Sequence, residues 1–157
     1  MNDFTHINSE GNASMVDVSG KEVTRRTAKA RARIFMPKEV KEKLEQSGFQ
    51  SGKGNILQTA IIAGIMGAKK TSELIPMCHP LMITKIDVQF ESITEGLEVI
   101  CTAVLDGKTG VEMEALTGAS IAALTVYDMC KALSHEICIQ EIKLLEKTGG
   151  KSDFNAK

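Results

Sequence analysis

The most constraining stretch of the chain is Val23 to Met36, where small or apolar side chains alternate with charged ones. Thr24, Arg26, Ala28, Ala30, Ala32, Ile34 and Met36 fall on one side, and Arg25, Lys29, Arg31 and Arg33 on the other. A period of two held this long specifies a β-strand with one face on a core and one in water. Arg26 is the exception, a cation on the small, apolar side.

The same period returns from Ile83 to Ile93 and from Leu97 to Leu105, with Thr94-Glu95-Gly96 as the hairpin turn between them. Ile137 to Leu145 is a last strand of β-branched and aliphatic residues. Between the strands lie helical stretches. Pro37 at a helix start with Glu39 in the first turn and Gly48 beyond Leu44 predicts a short surface helix over 37–47. Ser51-Gly52-Lys53-Gly54 reads as a flexible loop, and Asn55 as the N-cap of an apolar helix ending near Lys69-Lys70. Gly64 and Gly67 inside that helix cost about 1 kcal/mol each against Ala, which implies close packing on another backbone. A long helix is expected from about Val111 to Leu133.

The order strand, helix, strand, strand, helix, strand predicts an α+β, ferredoxin-like (split βαβ) fold. It is an antiparallel sheet with two main helices on one face, plus a short extra helix after the first strand. The uncovered face of such a sheet, together with close contact at Gly64 and Gly67, predicts a homo-oligomer. At 157 residues the chain is expected to be a single domain over 1–157. Residues 1–14 and 148–157, rich in Asn, Ser, Gly and Lys, are expected to be mobile ends.

Composition narrows the function. Nineteen Lys and Arg against twenty Asp and Glu give a net charge of -1, so no overall basic field exists to hold nucleic acid. No stretch approaches the roughly 20 apolar residues of a membrane span, and Met1 to Glu10 lacks the basic start and apolar run of a signal peptide. A cytoplasmic protein is expected. The four cysteines, Cys78, Cys101, Cys130 and Cys138, form no CxxC pair and read as reduced, mostly buried thiols.

Three places could carry chemistry. Asp128 and Lys131 are three positions apart on one face of the long helix, and Ile121 and Leu124, seven residues before each, place both charges on apolar lines aimed at packed surface. An ordinary surface ion pair, worth a few tenths of a kcal/mol, is the plain alternative. Partial burial would raise the Asp pKa and lower the Lys pKa while their attraction opposes both, which suits a proton-transfer pair. Pro76-Met77-Cys78-His79-Pro80 is a rigid segment whose Cys and His are too few for zinc, His6 and His135 adding no ligand pattern. Neighbours in an extended segment point to opposite sides, so His79 is a better candidate for hydrogen bonding or acid/base work than Cys78 is for nucleophilic attack.

Gly107-Lys108-Thr109-Gly110 lacks the full spacing of a Walker phosphate loop. Glu112 and Glu114 after it suit a helix N-terminus, and could equally accept the amine and ring N–H groups of a guanine-like base. Arg26, Lys53, Lys131, Lys147 and Lys151 are scattered, but their convergence would make a polyanion site, such as one for a triphosphate.

The sequence closely resembles the molybdenum cofactor biosynthesis protein C family, the cyclic pyranopterin monophosphate synthases. The resemblance rests on Thr5-His6-Ile7-Asn8, Met15-Val16-Asp17-Val18, Ile62-Ala63-Gly64-Ile65, Leu74 to Leu81, Gly107 to Thr117, Tyr127 to Ala132 and Gly149-Gly150-Lys151-Ser152. Met77, where Leu is common, is a conservative departure. The resemblance implies conversion of (8S)-3',8-cyclo-7,8-dihydroguanosine 5'-triphosphate into cyclic pyranopterin monophosphate with release of pyrophosphate, and no cofactor. It implies that Asp128, Lys131 and Lys53 are catalytic and that Met77, Cys78, His79, Met113 and Glu114 line the substrate site. Arg26 and Lys147 would help to hold phosphates, and Glu112 and Lys151 belong to the same expected substrate-binding set. It further implies a hexamer, a trimer of dimers, with each site made by two subunits. A nonenzymatic nucleotide-sensing ferredoxin-like module is the rival from another class, since fold alone does not decide function. A thiol- or metal-dependent hydrolase is a weaker third reading.

Overall fold

A computed structural model describes residues 6–8 and 10–156. The parts of the two composition-marked ends at residues 1–5, 9 and 157, and Thr5 of the first family motif, lie outside the described residues. The alternating stretch forms β1 (Thr24–Phe35), in which Ala28, Ala30, Ala32 and Ile34 are fully buried. Pro37 precedes a short helix, α1 (Lys38–Gln46), which buries Val40 and Leu44. Then come a small hairpin of β2 (Gln50–Ser51) and β3 (Gly54–Asn55), the apolar helix α2 (Ile56–Lys69) and one further turn, α3 (Thr71–Leu74). A hairpin of β4 (Lys85–Ile93) and β5 (Gly96–Gly107) leads to the long helix α4 (Glu112–Cys130), followed by β6 (Cys138–Thr148) and β7 (Phe154–Asn155).

The sheet has the order β4-β5-β1-β6-β7 and is antiparallel throughout. With β7 set aside as an edge ribbon, this is the ferredoxin-like arrangement, with β1 at the centre and α2 and α4 packed on one face. The expected α+β fold is therefore the one observed. At its far end the chain returns to the sheet: Phe154 and Asn155 pair with Lys147 and Glu146, and the Ala156 amide donates to the Leu145 carbonyl at 2.7 Å.

Small residues let the layers close tightly. The alanines of β1 face Ala115, Ala119, Ala122 and Ala123 of α4, all fully buried. A Cβ on Gly64 would stand 2.9 Å from the Gly118 carbonyl oxygen, and one on Gly67 2.7 Å from Ile121 Cγ1. The close backbone approach read from these glycines is thus made inside the chain, between α2 and α4, and leaves them unavailable for the contact between copies that the sequence had suggested.

Two other local expectations are corrected. Ser51-Gly52-Lys53-Gly54 is a tight hairpin and not a flexible loop: Ser51 pairs with Gly54, whose φ of +106° needs glycine, and Lys53 stands at the tip. Asn55 closes it and caps α2, its side-chain oxygen accepting from the Gln58 amide at 2.9 Å. On the open sheet face, Arg31 lies 2.9 Å from Glu141 and 3.6 Å from Glu98, and Arg33 donates to Glu98 at 2.8 Å. This face is a charged ladder. Large exposed apolar side chains sit instead on the helical layer, at Ile62 and Met66 of α2 and Leu124 of α4.

Candidate active site

Two adjoining cavities open where β1, β5 and β6 run past the N-terminus of α4. The larger, about 590 Å³, is lined by Met77, Cys78 and His79 from the segment after α3, and by Glu112, Met113 and Glu114 from the first turn of α4. Its other wall is an irregular strap from the N-terminal part of the chain, through His6, Val16, Val18 and Lys21. The smaller, about 210 Å³, is lined by Arg26, Lys108, Lys147, Lys151 and Lys21 with a single carboxylate, Glu112. Lys21, Thr109, Gly110 and Glu112 line both.

The sheet explains the cation cluster. Arg26 stays on the core face of β1, but two residues before Ala28, near the start of the strand; there its Nε donates to the Gly107 carbonyl at 3.2 Å. Lys147 is the register partner of Ala28 and so emerges on the same face, 3.1 Å from Glu112. Gly110 leaves room beside them for the Glu112 carboxylate, which a Cβ there would displace.

Glu112 and Glu114 have opposite surroundings. Glu112 is held beside a cation, whereas Glu114 is 3% exposed and has no ion-pair partner within 4.0 Å among the described residues. Burial, reinforced by the charge of Glu112, raises the Glu114 pKa to about 7. Cys78 and His79, expected on opposite sides of an extended segment, both line the larger cavity, because the chain turns here and the Cys78 amide donates to the Ile75 carbonyl at 3.1 Å. Burial pushes the Cys78 thiol up, away from the nucleophilic thiolate. His79 Nε2 lies 2.9 Å from the Val16 carbonyl oxygen; a carbonyl can only accept, so this nitrogen carries the proton.

Asp128, Lys131 and Lys53 line neither cavity. Lys131 donates to Asp128 Oδ1 at 2.7 Å, with the two side chains 57% and 61% exposed. The partial burial expected from their apolar lines is absent within one chain, because Leu124, seven residues before Lys131, is itself on the surface. Mutual attraction therefore decides both groups: the hydrogen bond from Lys131, then its charge, lowers the Asp128 pKa and raises that of Lys131, with Lys53 adding to the field at Asp128.

Sequence reading missed Lys21, Thr109 and Gly110 as wall residues common to both cavities. Lys21 had no local signal, because its place depends on strap contacts with residues far along the chain: His79 to Val16, and Lys108 Nζ to the Ser19 carbonyl at 2.6 Å. Among the described residues no cluster of three or more His, Cys, Asp or Glu could hold a metal ion. No helix among them is long and apolar enough to cross a membrane.

Residues 15–150 match the MoaC family, a span that takes in every element from β1 to β6 and the lining of both cavities apart from His6 and Lys151. The chain belongs to the MoaC family. This is the cyclic pyranopterin monophosphate synthase family, whose role lies in molybdenum cofactor biosynthesis. The match covers the strap from Met15, the segment after α3, the α4 N-terminus and the Asp128–Lys131 helix end alike.

Proposed function

We propose that the chain is an enzyme converting (8S)-3',8-cyclo-7,8-dihydroguanosine 5'-triphosphate into cyclic pyranopterin monophosphate with release of pyrophosphate. The observation that carries this reading is the pair of cavities of opposite character sharing one wall. Carboxylates in the larger suit the amine and ring N–H groups of a guanine-derived base, and the cations in the smaller suit a triphosphate tail. Opening one nitrogen ring and closing another moves several protons on and off nitrogen. A sugar hydroxyl must then attack the α-phosphorus, so the reaction calls for acid/base groups of both signs and for cations at the leaving pyrophosphate.

In this reading Asp128, Lys131 and Lys53 do acid/base work at a site that two copies complete. Glu114 and Asp128 are fourteen positions apart on α4, about 21 Å along its axis at 1.5 Å per residue. The cavity that Glu114 lines is accordingly not lined by Asp128, Lys131 or Lys53. A second copy docking over the exposed Leu124 stripe of α4 would bring its own cavity to the Asp128–Lys131 pair and bury both. A trimer of dimers would repeat that contact around a hexamer, and a chain of this charge has no need of nucleic acid or membrane.

The test is to supply the cyclised triphosphate and measure pyrophosphate together with pterin fluorescence after oxidation. Both products should appear in step. Tight binding without pyrophosphate release would instead identify a nucleotide-sensing module, the reading favoured if the exposed Asp128–Lys131 contact is only a surface ion pair.

A further inference from the structure

The wall between the two cavities contains one cation. Of the four residues that line both spaces, Thr109 and Gly110 are neutral, Glu112 is an anion held by Lys147, and only Lys21 is positive. Arg26, Lys147 and Lys151 belong to the smaller cavity alone. A ligand with its base in the larger space and its outer phosphates in the smaller must carry its α-phosphate across this wall. Lys21 has no carboxylate within 4.0 Å among the described residues, so its charge is not spent on an internal ion pair.

The strap that carries Lys21 is tied at three points. His79 Nε2 donates to the Val16 carbonyl, Lys108 Nζ donates to the Ser19 carbonyl, and the Lys21 amide closes a turn onto the Val18 carbonyl at 3.1 Å. Asp17 adds a local brace by accepting from the Ser19 amide at 2.8 Å. Each anchor reaches a different part of the wall: the segment after α3, the β5–α4 loop and the strap itself. An otherwise irregular segment is thereby fixed with its cation at the junction.

We propose that Lys21 is a catalytic residue of this site, the cation that meets the α-phosphate and stabilises the charge that builds there as pyrophosphate leaves. The proposal rests on the functional reading above and adds a role that none of Arg26, Lys147 or Lys151 can fill from the smaller cavity. In the step concerned, the sugar hydroxyl oxygen forms a bond to the α-phosphorus, and the bond from that phosphorus to the bridging oxygen of the β-phosphate breaks. The bonding pair leaves on pyrophosphate, and the hydroxyl proton passes to a carboxylate of the site or to water. Negative charge grows on the non-bridging α-oxygens and on the bridging oxygen, and a fixed ammonium at that position is worth most in the transition state.

The experiment compares wild type with Lys21→Ala, Lys21→Gln and Lys21→Arg, following pyrophosphate release from the cyclised triphosphate and, separately, binding of inorganic pyrophosphate by calorimetry. Lys21→Ala and Lys21→Gln should each lower kcat by about a hundredfold, the usual size of a lost transition-state charge donor, and Lys21→Arg should restore much of it. Affinity for pyrophosphate should stay within about twofold of wild type in all three, because the outer-phosphate cations are untouched. Turnover of Lys21→Ala close to wild type overturns the proposal, and so does a parallel loss of pyrophosphate affinity and kcat, which would make Lys21 a general phosphate clamp. A wild-type protein that binds pyrophosphate but makes no product overturns the functional reading and this proposal with it.

Discussion

Glu114 and Asp128 stand on the same helix, one in the wall of the larger cavity and the other on the exposed face near the helix C-terminus. Fourteen helical steps hold them about 21 Å apart along the axis. The two groups therefore face different spaces in a single chain, and the proposed function, which uses both in one reaction, requires a site shared between copies. Mixing two inactive variants checks it directly. If Glu114→Ala and Lys131→Ala damage different halves of one site, co-refolding them at equal amounts should return activity to about a quarter of the sites, by random pairing in a closed symmetric assembly. Recovery no greater than the sum of the two variants would place the whole site within one chain.

The Asp128–Lys131 contact should behave as a unit. Asp128→Asn and Lys131→Ala are each expected to lower turnover by about a hundredfold or more, and the double variant should be scarcely worse than either single one. Both side chains are more than half exposed, so circular dichroism should show an unchanged fold. Lys131→Ala should weaken substrate binding more than Asp128→Asn, since only the first removes a cation. Near-normal turnover of a folded Asp128→Asn would reduce the contact to a surface ion pair.

Local pattern was enough to read β1, the β4–β5 hairpin and the cap at Asn55, because period-two alternation and capping act over a few residues. The same pattern misjudged the Asp128–Lys131 end of α4. Apolar neighbours seven residues back mark a stripe, but not whether the chain's own core or a second surface covers it, and Leu124 proved to be outside. The Ser51–Gly54 turn was misread for a related reason: glycines that permit flexibility also permit a tight hairpin, and only the pairing chooses. Lys21 was illegible because it lies in a segment without period, positioned by hydrogen bonds spanning 63 and 89 residues of sequence.

Gly118 offers a test of the small-residue packing between α2, α4 and the sheet. A Cβ there would stand 2.5 Å from Cys101 Sγ and 3.2 Å from the Gly64 carbonyl oxygen. Gly118→Ala should therefore destabilise the fold by about 1–3 kcal/mol in spite of the better helix propensity of Ala. Adding Cys101→Ala removes the nearest obstacle, so the double variant should lose less than the two single losses added together. Urea midpoints of the three variants measure this, and simple additivity would refute the contact.

Cys78→Ser should keep substantial turnover. Burial holds this thiol protonated at neutral pH, the nearby Glu114 opposes its ionisation further, and the neighbouring imidazole is bonded through Nε2 to Val16. Cys101 is still less reactive, its pKa pushed up to about 12 by burial. Steady-state pyrophosphate release checks Cys78→Ser and, in parallel, Cys101→Ser, which should also keep substantial turnover; complete loss in a folded Cys78→Ser would revive a thiol mechanism.

Glu114 should make stability depend on pH in the direction opposite to a salt-bridged carboxylate. Its pKa rises from an ordinary 4.5 to about 7 on folding, so between these values the folded chain binds more protons than the unfolded chain. Stability must then fall as pH increases, by an amount that is absent below about pH 4.5 and complete above about pH 7. Glu114→Gln keeps the shape and removes the titration. Its urea midpoint should match wild type near the acid end and exceed it above neutrality, flattening the profile between. Glu112→Gln should not have the same effect, because Glu112 is already paired with Lys147 and contributes only the smaller, electrostatic part of the Glu114 shift. A wild-type profile that stays parallel to that of Glu114→Gln from pH 4 to 8.5 would mean that Glu114 titrates alike in the folded and unfolded chain, its burial relieved by water or by a neighbouring copy.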